Sequence, residues 1–205
     1  LLGLLYKGKP ADTTEIKEWA ASPSYYRKRT LLRILPIAVT VINFLCISLA
    51  ILGIISANIA GGVFVSFVLF STIFSKGITK LQTTYGEKLQ ILSTYADQIL
   101  LTEQKEMHSH ILQELKTDLT SQNQTASQAV RQLSKLMNAL DQRSNLLMST
   151  ILNGLIFWEL RQVMRIEKWK EIHASDLPRW IETIGEIDAY CSLATFAYNH
   201  PDYIY

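Results

Sequence analysis

The sequence predicts an all-α protein with long antiparallel lever helices and short C-terminal helices, interrupted by a two-helix transmembrane hairpin. Three observations support this fold class. Residues 34–75 contain no Asp, Glu, Lys, Arg or His, and helices of soluble cores rarely run that far without a charge. After Lys76, apolar residues recur at helical spacing. Residues 189–198 are uncharged and apolar around the whole helix, so that helix needs cover on every side.

A short helix is predicted over residues 11–21. Asp12 is placed to cap it, and Glu15 completes a capping-box pattern before Trp19. Ser22-Pro23 ends it. Residues 1–33 are therefore interpreted as an N-terminal cytoplasmic helical segment. Because the chain starts at Leu1 and its last apolar helix has no cover, both ends are interpreted as cuts through a longer protein.

The uncharged region, residues 34–75, predicts the transmembrane hairpin. Ile34 to Ile55 would cover about 33 Å as a helix, and Ile59 to Ser75 would return over roughly 26 Å. Ser56-Ala57-Asn58 is the predicted turn. Gly61-Gly62 and Ser66 would let the two helices approach closely.

Charged flanks predict the orientation of the hairpin. Basic residues lie before it and after it, while the turn is uncharged: Arg27, Lys28, Arg29, Arg33, Lys76 and Lys80. By the positive-inside rule, both arms face the cytoplasm and the hairpin lies in the inner (cytoplasmic) membrane. Tyr25 and Tyr26 would be an interfacial aromatic pair. Two alternatives are a buried hairpin in a large soluble core and a basic cluster that binds DNA phosphates.

Residues 76–205 are predicted to form a cytoplasmic helical domain. A long helix of about 40 residues would continue to Leu119, with its stripe at Ile78, Leu81, Tyr85, Leu89, Leu92, Ala96 and Ile99. Thr120 to Ser127 is polar and small and predicts a turn. Residues 129–140 return as a helix, with Val130, Leu133, Leu136, Met137 and Leu140 on one side.

One further helix is predicted from about Asp141 to Trp169. Its uncharged part, Ser144 to Trp158, is too short for a membrane span and is interpreted as a buried core helix. The charged residues that follow are interpreted as a solvated face with ion pairs: Glu159, Arg161, Arg165, Glu167 and Lys168.

Catalytic and metal-binding motifs are absent from the sequence. It has no GxxxxGK[ST] loop, GxGxxG turn or HExxH pair. His108 and His110 would lie on different helix faces and are interpreted as surface residues rather than metal ligands. Trp158, Trp169 and Trp180 are interpreted as core residues rather than as base-stacking platforms. Cys46 and Cys191 form no metal or disulfide motif, and a net charge of +2 is too small to indicate nucleic acid.

The C-terminal third resembles the end of the core (lever) domain of MutS-type DNA mismatch-repair ATPases. The residues that carry the resemblance are Arg165-Ile-Glu167-Lys-Trp169-Lys, Leu177 with Trp180, Ile184-Gly-Glu186, Asp188-Ala189, Ser192-Leu-Ala194 and Asn199-x-Pro201. It is strongest over residues 140–205, extends over 76–139 and is weak before Arg33. The chain is most similar to MutS-related proteins that carry membrane segments.

The resemblance implies a DNA-dependent ATPase in the full-length protein. A downstream ATPase domain would bind ATP and Mg²⁺, and the protein would be a homodimer. Ile184, Ile187, Cys191, Ala194, Phe196 and Tyr198 would dock that domain. The family's DNA clamp is not seen in this sequence, so the ligand is DNA or another molecule, and no residue is assigned to DNA. The alternative function is a membrane-tethered scaffold or signalling stalk with no DNA role.

Overall fold

The computed structural model describes residues 13–120, 124–141 and 146–202. These residues form helices α1 Thr13–Ala21, α2 Thr30–Ile51, α3 Ala57–Gln104, α4 His110–Asp118, α5 Ala126–Asp141, α6 Leu146–Ile156, α7 Trp158–His173 and α8 Leu177–Asn199. They contain no β-strand, and an isolated bridge pairs Thr120 with Thr125. The all-α prediction is confirmed.

Helix α1 agrees with the helix predicted at residues 11–21. Its apolar side is buried through Ile16, Trp19 and Ala20. Ser22 ends it by donating a side-chain hydrogen bond of 2.7 Å to the carbonyl of Trp19. The predicted cap Asp12 lies outside the described residues.

Helices α2 and α3 contain two segments, Thr30–Ile51 and Ala57–Ser75, that are long and apolar enough to cross a membrane. The turn between them lies earlier than the predicted residues 56–58. Gly53 has a φ of 73°, and the amides of Gly53 and Ile54 donate to the carbonyls of Ala50 and Leu49. This Schellman arrangement needs a left-handed residue, which glycine adopts without a steric penalty.

Helix α3 runs without a break for 48 residues, or about 72 Å. The predicted domain boundary at residues 75–76 therefore falls inside a helix. The predicted continuation to Leu119 is wrong, because α3 ends at Gln104 and α4 begins only at His110. Around this break the apolar stripe fails: Leu101 is exposed, and residues 102–110 contain a single apolar side chain, Met107. The helix therefore has no apolar side to pack against the core in this region, and such packing supplies most of the stability of a helix in a protein.

The core lies between α1, α3, α5, α7 and the start of α8. The predicted stripe of α5 is confirmed, since Val130, Leu133, Met137 and Leu140 are buried and Leu136 is partly buried. The buried members of the α3 stripe include Ile78, Ala96 and Ile99.

The single helix predicted between Asp141 and Trp169 is two helices. Phe157 separates α6 from α7 in the left-handed conformation, with φ 52° and ψ 50°, which costs a non-glycine residue about 1–2 kcal/mol. Its buried ring contacts Phe67, Phe70 and Phe74 with centroid distances of 6.1–6.4 Å. Burial of the aromatic ring offsets the backbone strain.

Helix α8 is buried only near its start. Pro178 lies in its first turn, where a missing amide costs no helical bond. Leu177, Trp180 and Thr183 are buried, whereas residues 188–196 are exposed. Arg179 pairs with Asp118 and ties α8 to α4.

Candidate functional site: two polar clusters on helix α7

The charged face predicted on α7 is wrong in its central feature, because part of it is buried. Glu159 and Glu167 are only 6% and 4% exposed, while Arg165 and Lys168 are exposed as predicted. The buried side of α7 follows a 4, 3, 4, 3 spacing through Glu159, Val163, Ile166, Lys170 and His173. This helical spacing is present in the sequence, but polar residues occupy several of its positions. A search for apolar residues at helical spacing therefore does not detect it.

The arm cluster lies at the C-terminal half of α7 and centres on Glu167. Its carboxylate accepts three backbone N–H bonds: from Tyr25 at 2.8 Å, Tyr26 at 3.1 Å and Arg27 at 2.7 Å. Buried charge is tolerated when such donors surround it. Glu167 thereby fixes residues 22–29, the segment that leads directly into α2, which we call the arm.

Three further contacts complete the arm cluster. Arg27 Nε lies 2.8 Å from Glu171, at the half-exposed edge of the cluster. Lys170 Nζ donates to Ser22 Oγ at 3.0 Å and lies 5.4 Å from the centre of the Trp19 ring. Burial lowers the pKa of Lys170, while Glu167 and Glu171 oppose the shift. The cluster thus holds two carboxylates and two cations at the joint between α1, α7 and the arm.

Tyr26 does not have the interfacial position that was predicted for the pair Tyr25 and Tyr26. Tyr25 is exposed, but Tyr26 is buried, and a Cβ on Gly77 would overlap its hydroxyl. Burial raises the pKa of Tyr26, with Glu167 and then Tyr25 adding to the shift. Gly77 therefore permits the close approach of the arm to α3.

The corner cluster lies at the start of α7, where α6 and α7 meet. Asn153 Oδ1 accepts the backbone N–H of Glu159 at 2.9 Å, so a side chain of α6 caps α7. Asn153 Nδ2 donates to Ser149 Oγ, and Ser149 Oγ donates to the Glu159 carboxylate at 3.1 Å. These bonds fix the angle between the two helices.

Arg161 and Asn43 connect the corner cluster to α2. Arg161 Nε donates to the carbonyl of Ile156 at 2.8 Å, and one terminal nitrogen donates to the carbonyl of Pro36 at 2.9 Å and to Thr40 Oγ1 at 2.7 Å. Asn43 is buried and donates to the carbonyl of Gly154 at 3.0 Å and to that of Leu155 at 3.3 Å. The last carbonyls of α6 are thus satisfied from two other helices.

A row of aromatic rings continues the buried side of α7. Trp19 stacks on Trp169 at 6.4 Å, and His173 lies between Trp169 at 4.9 Å and Trp180 at 5.5 Å. Trp169 also donates to the carbonyl of Ala129 at 2.8 Å. The prediction that the tryptophans belong to the core is confirmed for Trp169 and Trp180, while Trp158 is half-buried.

We expect His173 to make the fold sensitive to mild acid. Burial lowers its pKa below the ordinary 6.5, and Asp176 only partly opposes this. The unfolded chain then binds a proton at higher pH than the folded chain, so stability falls as the pH falls below about 6.5. In thermal unfolding in detergent micelles, His173→Phe should lose less Tm than the wild type between about pH 7 and pH 5. The exposed His108→Phe is the control; equal slopes in all three proteins would contradict the prediction.

We expect the buried side chain of Gln162 to destabilise the fold. Its side chain is 1% exposed, and both of its polar atoms lack a hydrogen-bond partner in the described part of the chain. Gln162→Leu removes these buried polar atoms at similar volume, so we expect a gain of about 1–3 kcal/mol in unfolding free energy. Chemical unfolding in micelles measures it, with exposed Gln113→Leu as control. A loss of stability would indicate that Gln162 has a polar partner.

The predicted docking residues of α8 fall into two groups. Ile184 and Ile187 are partly buried and pack against the core, whereas Cys191, Ala194, Phe196 and Tyr198 are exposed. The exposed group makes the last half of α8 an apolar surface, which we call the α8 surface.

Other predicted residues lie apart from both clusters. His108 and His110 are exposed, and His110 lies 3.6 Å from Glu114. Gly61 and Gly62 are not close-approach positions, since a Cβ on either would meet nothing within 4 Å. Among the described residues, no group of three or more His, Cys, Asp or Glu side chains is arranged to hold a metal ion.

Both clusters perform the same physical task. They fix α7 to α1, α2 and α6 with buried and partly buried hydrogen bonds, several of them to charged groups, which are the stronger kind. Motion of α7 relative to α2 would break these bonds. Comparison of the chain with protein-family models, with curated proteins and with solved structures gave no significant match in any of the three.

Proposed function

We propose that the chain is the core region of a membrane-anchored MutS-like protein, which couples an ATPase domain to DNA or to another ligand. Residues 34–75 would form a hairpin in the cytoplasmic membrane, with both arms in the cytoplasm. The contacts of α7 carry this proposal, because they join α2 and the segment before it to the helix that leads into the α8 surface.

The exposure of the two apolar helices supports a membrane rather than a soluble core. Only 17% of the apolar window in α2 and none of that in α3 is buried. Large side chains such as Val41, Phe44 and Ile73 are more than half exposed. Water would oppose such a surface, whereas hydrocarbon favours it.

Two contacts support an antiparallel lever. Near one end, Glu103 accepts hydrogen bonds from the backbone and side chain of Ser127. Farther along, a Cβ on Gly86 would lie 3.9 Å from the Met137 side chain. As residue numbers fall in α3 they rise in α5, which is the pairing expected of a lever.

Helix α7 would act as the mechanical link. At one end Arg161 bonds to α2, and in the next turns Glu167 holds the arm that enters α2. Three residues link the other end of α7, His173, to Leu177 at the start of α8, which runs out to the α8 surface. A domain bound to the α8 surface would therefore push or pull on the apolar helices through α7. In this proposal that domain binds ATP and Mg²⁺ and forms the dimer.

The gene provides the first test. Within roughly 150 codons after Tyr205 we expect a GxxxxGK[ST] phosphate-binding loop. Its absence would contradict the MutS-like assignment. The full-length protein is then tested for binding to mismatched, branched and perfect DNA duplexes at one stated salt concentration. Equal, salt-sensitive binding to all three would exclude a mismatch-specific role.

A signalling stalk is the alternative function, favoured by the unbroken passage of α3 from its apolar part into its polar part. Two cysteine variants distinguish the alternatives in a Cys46→Ser, Cys191→Ser background. The double variant Glu103→Cys, Ser127→Cys should crosslink within one chain if α3 and α5 form a lever. Leu101→Cys, which is 67% exposed, should crosslink between chains if α3 forms a parallel stalk.

A further inference from the structure

Helix α6 has an exposed apolar side. Leu147 is 79% exposed and Ile151 48%. The prediction of a buried core helix from Ser144 to Trp158 is therefore wrong for this side of α6. Its buried side consists of Asn153 and Gly154.

Close packing fixes α6 beside α3. A Cβ on Gly154 would overlap the side chains of Phe64 and Val68. Glycine is what allows the backbone of α6 to approach α3 so closely. This contact lies in the middle of the apolar segment Ala57–Ser75.

The connection to α5 gives the direction of α6. Met137 of α5 lies beside Gly86, in the polar part of α3, and only four residues separate α5 from α6. Helix α6 therefore starts on the side of the basic flank, and Gly154 near its end packs deeper in the apolar segment. Leu147 and Ile151 lie between these two ends, with Ile151 the deeper of the two.

Several polar groups of α6 have partners inside the protein. Its last carbonyls accept bonds from Asn43 and Arg161, and Ser149 and Asn153 bond within the corner cluster. A helix end in hydrocarbon requires such internal partners, since no water is present to replace them.

We propose that α6 is a third membrane-inserted helix, whose Leu147 and Ile151 contact lipid acyl chains. The proposal rests on the hairpin proposed above. At 11 residues α6 spans about 16 Å, or half of a hydrocarbon core, so it enters the membrane without crossing it. Lipid is the occupant because the exposed face of α6 continues the exposed apolar surface of α3 at the same depth.

Depth-dependent quenching tests the proposal. Leu147→Cys and Ile151→Cys are made in the full chain with Cys46→Ser and Cys191→Ser, and each is labelled with an environment-sensitive fluorophore. The proteins are reconstituted in vesicles of phosphatidylcholine and phosphatidylglycerol with brominated acyl chains. Val65→Cys, on the exposed side of α3, is the reference for the hairpin, and Ile111→Cys on α4 is the aqueous reference.

Labels at positions 147 and 151 should both be quenched, the label at 151 more strongly because it lies deeper, and the label at 111 should not be quenched. Quenching at 65 alone would overturn the inference about α6 and leave the hairpin intact. A lack of quenching at 65 would reject the hairpin, and the inference with it. Crosslinking of Ile151→Cys between chains, without quenching, would assign this face to a second copy and also overturn the inference.

Discussion

Replacing Glu167 by Ala should release the arm from α7 and destabilise the fold by about 2–4 kcal/mol. The variant removes the acceptor of three backbone N–H groups, of Tyr25, Tyr26 and Arg27. The amide of Tyr26 is buried, so no water replaces the carboxylate there without a rearrangement. Thermal and chemical unfolding in detergent micelles, followed by tryptophan fluorescence, measure the loss.

Glu171→Ala is the matched control for Glu167→Ala. It lies one turn later on the same helix and pairs with Arg27 at a more exposed site, so its removal should cost less than about 1 kcal/mol. Trypsin gives a local measurement, because Arg27, Lys28 and Arg29 should be cleaved faster in Glu167→Ala only. Equal stability and equal cleavage in the two variants would contradict the role assigned to Glu167.

The helical class and most helices could be predicted because they follow from local patterns. The 3.6-residue stripe defines α5, and the uncharged region defines the apolar parts of α2 and α3. The errors occur where tertiary contacts override the local pattern. Phe157 breaks a continuous helical pattern because three phenylalanine rings of α3 surround its ring, and nothing in its neighbours along the sequence indicates this.

The two clusters were missed for a related reason. A glutamate between Ile166 and Lys168 is usually solvated, and only a distant run of free backbone amides at Tyr25–Arg27 makes its burial favourable. The glycine that makes a close helix contact was mispredicted for the same reason. Gly61-Gly62 has the sequence signature of close packing, but Gly154 makes the close contact. The composition of a helix does not determine which of its faces meets a neighbour.

Replacing Arg161 by Met should weaken the attachment of α6 and α7 to α2, with a loss of about 2–4 kcal/mol. The guanidinium supplies charged donors to the carbonyls of Ile156 and Pro36 and to Thr40 Oγ1. Methionine has similar length but no donor, so these acceptors lose their partner in a half-buried site. Arg161→Lys should recover only part of the loss, since a single ammonium lacks the planar fork that reaches both helices.

Hydrogen–deuterium exchange distinguishes this local loss from general destabilisation. In Arg161→Met, amides of residues 146–157 should exchange faster, while those of residues 129–140 should keep their protection. Arg165→Met, one turn later and exposed, is the matched control and should change stability by less than about 0.5 kcal/mol. If both variants behave alike, Arg161 does not hold α6, and the mechanical link between α7 and the apolar helices would depend on Glu167 alone.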